Sequence, residues 1–476
     1  MSQIAAIALL ALRNVVRSRV ILVLSGLLFA ATFLLPLAIQ GDGTPEGLVR
    51  IHLSYSLGIA VFLLSLATLW AGCAAVAQEA DDKTLQLLLV KPVPRLRIWL
   101  GKWLALLLVD ALLLALVGAV AAATLRQKLR RGGFDPDALA RARQTSLASF
   151  ADLRAPLPDV EADVRAEYKR LRGGGGIPDG MSESAALDSI RRALLARLYS
   201  VPPGASRIWN FGERAAVPDV LLVQFKCDSS IPGAADVRAA LELDVGGQTY
   251  AREIQAMPGT LQTMVFDHLA APPGGPSTVA VSFANRGRHD ATLFFDPSEG
   301  LIVREPRGSF AGNLLRALGQ LFFRLALFAA IGVALGTLFS MPVATFLSLV
   351  LVVILQLSGF VSAAAQVDRA TFVANVAPFG ADAHAHDGES GTPPAPPSLA
   401  ARATATVLFY AYRGTYLALR PLLEDRTIDD LSAAAFIPPR AVARNFLQQG
   451  LLLPLLLALL STAVLRRREW ALPNIG

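Results

Sequence analysis

The feature that most constrains the fold of this chain is a series of long runs that carry almost no charge. A helix must present about 20 mostly apolar residues in a row to cross the hydrocarbon core of a bilayer. Six runs of this kind are present: Val20–Gln40, Leu53–Gln78, Trp103–Leu125, Asn313–Leu338, Val343–Gln366 and Phe446–Leu465. One such run alone could be a buried core helix, but six of them indicate a polytopic α-helical membrane protein with six transmembrane helices.

The basic residues of the chain lie mainly beside these runs. The net charge is +7, and anionic lipid headgroups explain the clustering better than nucleic acid does. Short cytoplasmic loops are enriched in Lys and Arg. Three basic groups fall on one side of a six-span arrangement: Arg13–Arg19, Lys91–Lys102 and Arg466–Arg468. The pattern predicts a multi-pass protein of the plasma (inner) membrane with both termini in the cytoplasm, although Arg126–Arg131 follow the third span on the outer side.

The longest polar segment is predicted to be an extracytoplasmic α+β domain over residues 126–312, inserted between the third and fourth spans. Residues 135–200 have a helical pattern, and residues 206–305 hold short strand-like runs whose spacing predicts a β-sandwich. The strand-like runs are Val217–Lys226, Val237–Val245, Gln248–Glu253, Leu261–Phe266, Thr278–Phe283, Ala291–Phe295 and Leu301–Arg304.

Two other segments are predicted to lie at the membrane surface. Residues 1–19 form an amphipathic interfacial helix. Residues 367–445 combine a loop with an interfacial or re-entrant helix, because Arg402, Arg413 and Arg420 would be costly inside a seventh span. The predicted spans occupy residues 20–125 for the first three, 313–366 for the next two and 446–476 for the last span with its cytoplasmic tail.

No recognisable catalytic grouping of side chains is present. The Gly101–Lys102 pair lacks the upstream glycine of a phosphate-binding loop. His384, His386 and Asp387 could ligate zinc, but their Pro/Gly-rich surroundings favour a solvated loop. The sequence therefore predicts no catalytic residues, no metal site and no cofactor in this chain.

Two charged residues lie inside predicted spans, where ionisable side chains are candidates for function. Asp110 lies in the third span and Arg324 in the fourth. They could line a translocation pathway or pair with each other, and Arg324 could equally extend to the membrane surface.

The segment between the second and third spans has the pattern of a short helix on the cytoplasmic membrane surface. It begins with Glu79, presents Leu85 and Leu88 on one side, and is broken at Pro92 and Pro94. A helix over residues 79–94, placed between two spans, could transmit a push from a cytoplasmic partner into both of them. The alternative is a plain basic loop.

This segment resembles the coupling-helix region of the permease subunits of type-2 ABC transporters. In that family a Glu is followed by Gly-Thr-Leu, a Leu pair, Pro-Val-x-Arg and a Gly-Lys pair that opens the next span. The matching residues, to which the resemblance assigns ATPase coupling, are Glu79, Thr84, Leu85, Leu88, Pro92, Arg95 and Lys102. Lys83 stands where the family usually has Gly, and most members lack a large domain between spans three and four.

The resemblance implies a permease that works with a second permease chain, as a homodimer or heterodimer, and with a cytoplasmic ABC ATPase dimer that binds ATP and Mg²⁺. Export or extraction of a substrate is expected, and the outer domain would receive substrate or dock extracytoplasmic protein partners. Two alternatives remain open. One is a mechanotransmission complex that moves the outer domain without translocation, and the other is a membrane-anchored receptor or scaffold without an ATPase.

Overall fold

A computed structural model describes residues 3–38, 41–84, 92–178, 181, 183–231, 237–269, 276–287, 291–356, 369, 372–373 and 399–467. The chain divides into two compact units. The membrane unit comprises Met1–Ala142, Ala311–Ala433 and Ile437–Gly476, and the sheet unit comprises Arg143–Phe310 with Ala434–Phe436.

The helices of the described residues are numbered in chain order. They are α1 Gln3–Arg17, α2 Arg19–Ala38, α3 Pro45–Asp81, α4 Arg95–Arg131, α5 Pro136–Thr145, α6 Glu161–Gly173, α7 Glu183–Leu198, α8 Phe310–Leu338, α9 Met341–Gln356, α10 Leu399–Leu423, α11 Thr427–Ser432, α12 Pro439–Asn445 and α13 Leu453–Arg467, with a π-helix at Phe446–Leu452 between the last two.

Four helical stretches of the described residues are long and apolar enough to cross a membrane, judged by length and composition. They are α3, α4, α8 and the continuous stretch Pro439–Arg466. A fifth is obtained if α1 and α2 count as one span, although the chain bends there by 75°. The predicted fifth span corresponds to the shorter helix α9, and residues 357–366 of that prediction lie outside the described residues. The apolar helices are therefore confirmed, and the count of six remains a prediction.

Close backbone contact joins α3 to α8. A Cβ atom added to Gly72 would lie 2.8 Å from the Cα of Gly332, and one added to Gly336 would lie 2.4 Å from the carbonyl oxygen of Cys73. Small residues allow this approach, which brings many backbone and side-chain atoms into van der Waals contact. A larger residue at either glycine would force the two helices apart.

The amphipathic helix α1 packs against α4 and also has an exposed apolar surface. A Cβ atom added to Gly101 of α4 would lie 2.7 Å from Cγ2 of Ile7. Ile7 and Ala11 are buried, whereas Leu9 and Leu10 are exposed. The buried residues thus dock α1 on the start of α4 and leave other apolar side chains available to lipid.

The sheet unit contains three antiparallel sheets. The strands are β1 Ala148–Arg154, β2 Ser200–Val201, β3 Ser206–Arg214, β4 Leu221–Phe225, β5 Cys227–Ser229, β6 Val237–Val245, β7 Gln248–Ala256, β8 Gln262–Phe266, β9 Ser277–Asn285, β10 Leu293–Phe295 and β11 Leu301–Ser309. Their orders are β1-β11-β4-β8, β2-β10-β5 and β3-β9-β6-β7. Side chains from all three sheets share one apolar core. A separate sheet-rich region is therefore confirmed, while its classification as a β-sandwich remains a prediction.

All seven predicted strand-like runs overlap a strand of the structure. The region predicted as helical, residues 135–200, differs in one respect, because it contains strand β1 among its three helices. Strand β1 pairs with β11, so that Ala148 lies opposite Ser309 and Arg154 opposite Ile302. A partner about 150 residues away in sequence decides this conformation, and local helix propensity is overridden.

Candidate functional site

Glu79 connects three helices of the membrane unit. Its carboxylate accepts a hydrogen bond from the ammonium of Lys102 on α4 at 2.5 Å and one from the side-chain amide of Asn14 on α1 at 3.3 Å. The Lys102 ammonium also donates to the carbonyl of Ala75 on α3. The Lys102 side chain is 2% exposed and that of Glu79 is 19% exposed, so water screens this pair far less than a surface pair.

The chain leaves α3 just after Glu79 in an unusual conformation. Helix α3 ends at Asp81, Asp82 caps it, and Lys83 has a φ of 60°. This left-handed conformation is the one that glycine adopts most easily, and glycine is the residue that the resemblance leads one to expect at this position. The hydroxyl of Thr84 then donates to the carbonyl of Glu79 at 3.2 Å. The turn therefore brings Thr84 back to the Glu79 cluster despite the substitution.

The remaining predicted coupling residues have separate environments. Arg95, the first residue of α4, donates through its guanidinium to the carbonyl of Leu465 on α13. Pro92 is exposed and does not join the Glu79 cluster. Leu85 and Leu88 lie outside the described residues. The structure thus brings together Glu79, Thr84 and Lys102 of the seven predicted residues, and it adds Asn14.

Asn14 was missed because nothing in the sequence pattern of α1 indicates a contact across 65 residues. A cavity of about 800 Å³ opens beside the cluster. Asn14, Arg17, Gln78, Glu79 and Thr84 contribute polar groups to its lining, and Trp70 and Ile21 belong to its apolar part.

Three polar contacts tie α3 to α4 along their lengths. The Glu79–Lys102 pair lies at one end. Near the middle the hydroxyl of Thr68 donates to Asp110 at 2.7 Å, and toward the other end His52 Nε2 lies 3.1 Å from the carbonyl oxygen of Ala121. Because the two helices run in opposite directions, these contacts hold them together as one antiparallel pair.

The two charged residues predicted inside the spans are not brought together. Asp110 is 4% exposed, and its Oδ2 atom has no hydrogen-bond partner within the described part of the chain. Arg324 instead forms an ion pair with Asp425 at 2.9 Å. Sequence reasoning missed both partners, Thr68 and Asp425, since each is more than 40 residues away in sequence.

A polar stripe on α8 binds the segment that follows α10. Asn313 accepts from the backbone amide of Ile437 at 2.9 Å, and Gln320 accepts from the hydroxyl of Thr427 at 2.8 Å. Arg316 donates to the Ile437 carbonyl at 3.3 Å, and the Arg324–Asp425 pair completes the series. Positions 313, 316, 320 and 324 lie on one helical face, so this stripe of α8 binds Asp425, Thr427 and Ile437.

No group of three or more His, Cys, Asp or Glu side chains that could hold a metal ion occurs among the described residues. His384, His386 and Asp387 lie outside them. Neither of the two cysteines is in a disulfide, and both are buried.

Comparison with known proteins identifies a family for part of the chain. Residues 5–139 match the family model described as ABC-2 family transporter protein. Curated proteins and solved structures gave no match. The matched residues contain α1 to α4, and with them the Glu79 cluster and the predicted coupling segment. The resemblance noted from that segment is thereby confirmed over residues 5–139, which are similar to the ABC-2 family of transporter proteins.

Proposed function

We propose that this chain is the membrane-spanning permease subunit of an ATP-driven ABC transporter that exports or extracts a substrate. A separate cytoplasmic ABC ATPase dimer binds ATP and Mg²⁺ and hydrolyses the ATP, and a second permease chain completes the membrane part. The observation that carries the proposal is the Glu79 cluster, because it joins three family-motif residues at the ends of two spanning helices inside the family match.

The proposed topology has six spans and two cytoplasmic termini in the plasma (inner) membrane. Residues 126–312 then lie outside the cytoplasm, with a β-sandwich as the C-terminal part of the domain. The segment 79–94 faces the cytoplasm, where an ATPase can reach it. Movement of that segment would act on α3 and α4 together, since polar contacts hold these helices as a pair.

Co-purification tests the coupling. We expect the tagged full-length chain, expressed in its native host, to retain an ABC ATPase through detergent extraction. Thr84→Asp should reduce that retention at least tenfold, because a charge at the start of the coupling segment disturbs the docking surface. The matched control is Thr124→Asp, which places the same charge on α4 near its other end. Absence of an ATPase from the wild-type preparation, or equal loss in both variants, would favour the receptor or scaffold alternative.

One observation favours mechanotransmission as a second candidate. Strand β11 ends at Ser309 and helix α8 begins at Phe310, so no linker separates the last strand from a spanning helix. Motion of α8 could therefore be passed along the chain to the outer domain. Cryo-electron microscopy of the complex with and without ATP discriminates the two: a cavity that opens between the permease chains supports transport, and spans that stay sealed support mechanical work.

Asp110 and Arg324 remain proposed as residues of a translocation pathway. Asp110 is the better candidate of the two, because one of its carboxylate oxygens has no partner in the described structure. Asp110→Asn should lower the rate of ATP-dependent transport, and an unchanged rate would assign Asp110 to helix packing alone.

A further inference from the structure

A polar cleft of about 440 Å³ lies in the membrane unit where two helices are irregular. Its walls come from the end of α10, the segment around α11 and the beginning of the Pro439–Arg466 stretch, with Gln320 of α8 also contributing. Pro421 stands inside α10, and proline has no N–H to bond the carbonyl of Leu417. The π-helix starts at Phe446, next to the lining residue Asn445, and π-helical turns are frequent at functional sites.

The acidic side chains of the cleft are largely occupied by neighbours. Glu424 accepts from the hydroxyl of Tyr416 at 2.6 Å and from the guanidinium of Arg420 at 2.8 Å. Asp425 accepts from Arg324 at 2.9 Å through one oxygen and from the backbone amide of Thr427 at 3.0 Å through the other. These two carboxylates are therefore neutralised within the protein.

Three arginines and three carboxylates line the cleft, the third carboxylate being that of Asp430. Arg420 pairs with Glu424, whose pKa is lowered by its side-chain hydrogen bonds and also by the positive charge of Arg426. Arg426 and Arg444 both line the cleft, and neither makes an ion pair within the residues that the structure describes. Two guanidinium groups with free donors in one cleft suit an anion. Phosphate is the best match, because the guanidinium fork can donate two parallel hydrogen bonds to its oxygens.

The surroundings of the cleft indicate that the anion carries an apolar tail. Leu417 lines the cleft and is 57% exposed. Ala441, Arg444 and Gln448 occupy the first turns of a stretch long enough to span a membrane, and exposed Leu451, Leu452 and Leu455 follow directly along it. A headgroup held by the arginines would thus have its chains beside leucines that face lipid.

We propose that this cleft binds the phosphate-bearing headgroup of a membrane amphiphile, with Arg426 and Arg444 as its ligands. This site is distinct from the Glu79 cluster and does not depend on an ATPase partner. The proposal also assigns a role to the predicted re-entrant or interfacial segment of residues 367–445, which contacts the polar stripe of α8 through Asp425, Thr427 and Ile437.

Titration calorimetry with the purified full-length chain tests the proposal, with dihexanoyl phosphatidic acid as the probe. Wild-type protein should bind it, and Arg426→Gln and Arg444→Gln should each weaken binding about tenfold, as expected for loss of one charge-assisted contact. The matched control is Arg402→Gln with Arg413→Gln, because both arginines are exposed on α10 but lie outside the cleft. Ala441→Phe, which fills the cleft without changing its charge, should also weaken binding.

The outcomes are separable. If the wild-type protein does not bind the lipid, or if the control variant weakens binding equally, the proposed binding site is wrong. If inorganic phosphate binds as tightly as the lipid, the ligand is a free anion and the proposed membrane amphiphile is wrong. Size-exclusion chromatography identifies any arginine variant that does not fold. In that case the test rests on Ala441→Phe, because full lipid affinity in this variant would show that the lipid does not bind in the cleft.

Discussion

At the scale of single residues, the most consequential contact is the ion pair between Glu79 and Lys102. Lys102 is almost fully buried on α4, and its ammonium has only Glu79 and the Ala75 carbonyl as partners in the described residues. A buried charge that loses its partner is strongly destabilising, whereas the removal of both partners is often tolerated. The pair therefore affects stability, whatever its proposed role in coupling.

Glu79→Gln is expected to destabilise the protein by roughly 3 kcal/mol, the lower part of the range for a broken buried pair, because Glu79 retains some contact with water. The double variant Glu79→Gln with Lys102→Met should recover most of this loss. Thermal unfolding in detergent measures both. Glu424→Gln is the control, since its pair with Arg420 is exposed and worth about 0–1 kcal/mol; an equal loss in the control would contradict the argument.

Lys83→Gly is expected to raise stability by about 1 kcal/mol, since glycine adopts a positive φ without the steric cost of a Cβ atom. The same thermal unfolding experiment measures it. Lys83→Ala keeps the Cβ atom and should give no gain. A gain in Lys83→Ala equal to that in Lys83→Gly would show that the lysine side chain, and not the backbone conformation, is unfavourable at this position.

Cys227 makes stability depend on pH in the alkaline range. Burial, with a smaller contribution from Asp228, raises the pKa of the Cys227 thiol to about 11. The unfolded thiol loses its proton nearer its ordinary pKa, so the folded state binds more protons in between and stability falls as pH rises from about 9 to 11. Cys227→Val should flatten this decline, measured by urea unfolding at several pH values. If the free energy of unfolding of Cys227→Val depends on pH as steeply as that of the wild type, Cys227 is not the group responsible.

At the scale of secondary-structure elements, the crossing of α3 and α8 depends on glycine. Gly332→Ala would place a methyl group 2.6 Å from the carbonyl oxygen of Leu69, so we expect the midpoint of thermal unfolding to fall by several degrees. Gly319→Ala in the same helix meets no atom within 4 Å and should be neutral or slightly stabilising, because alanine favours helix. Equal shifts in the two variants would show that the crossing is not tightly packed.

The elements also show how far the sequence could predict the structure. Apolar runs predicted the strands β4 and β6 to β11, because side chains of each of these strands pack in the core, whereas β2, β3 and β5 were not predicted. Trp209 and Phe211 of β3 also lie in this core. Strand β1 was missed, since its partner β11 is distant in sequence. For the same reason Arg324 could be recognised as unusual while Asp425 could not be identified as its partner.

At the scale of the whole molecule, the native cysteines make the proposed topology testable. Cys73 and Cys227 are at most 1% exposed, and a buried neutral thiol reacts slowly, so the wild-type chain should resist a membrane-impermeant maleimide. With spheroplasts, Lys169→Cys in the sheet unit should be labelled, whereas Asp82→Cys should be labelled only after the membrane is opened. The reverse pattern would invert the proposed orientation.

The antiparallel pair of α3 and α4 has a mechanical consequence. Each helix contains 37 residues and is about 55 Å long at 1.5 Å per residue, compared with about 30 Å of hydrocarbon core. Polar contacts at both ends and in the middle join the two into a stiff beam. A rigid beam of this length that tilts by about 10° about its midpoint moves its two ends by roughly 5 Å in opposite directions. In the proposed topology, a displacement of the beam near Glu79 would therefore produce a displacement of similar size, in the opposite direction, at its other end outside the cytoplasm.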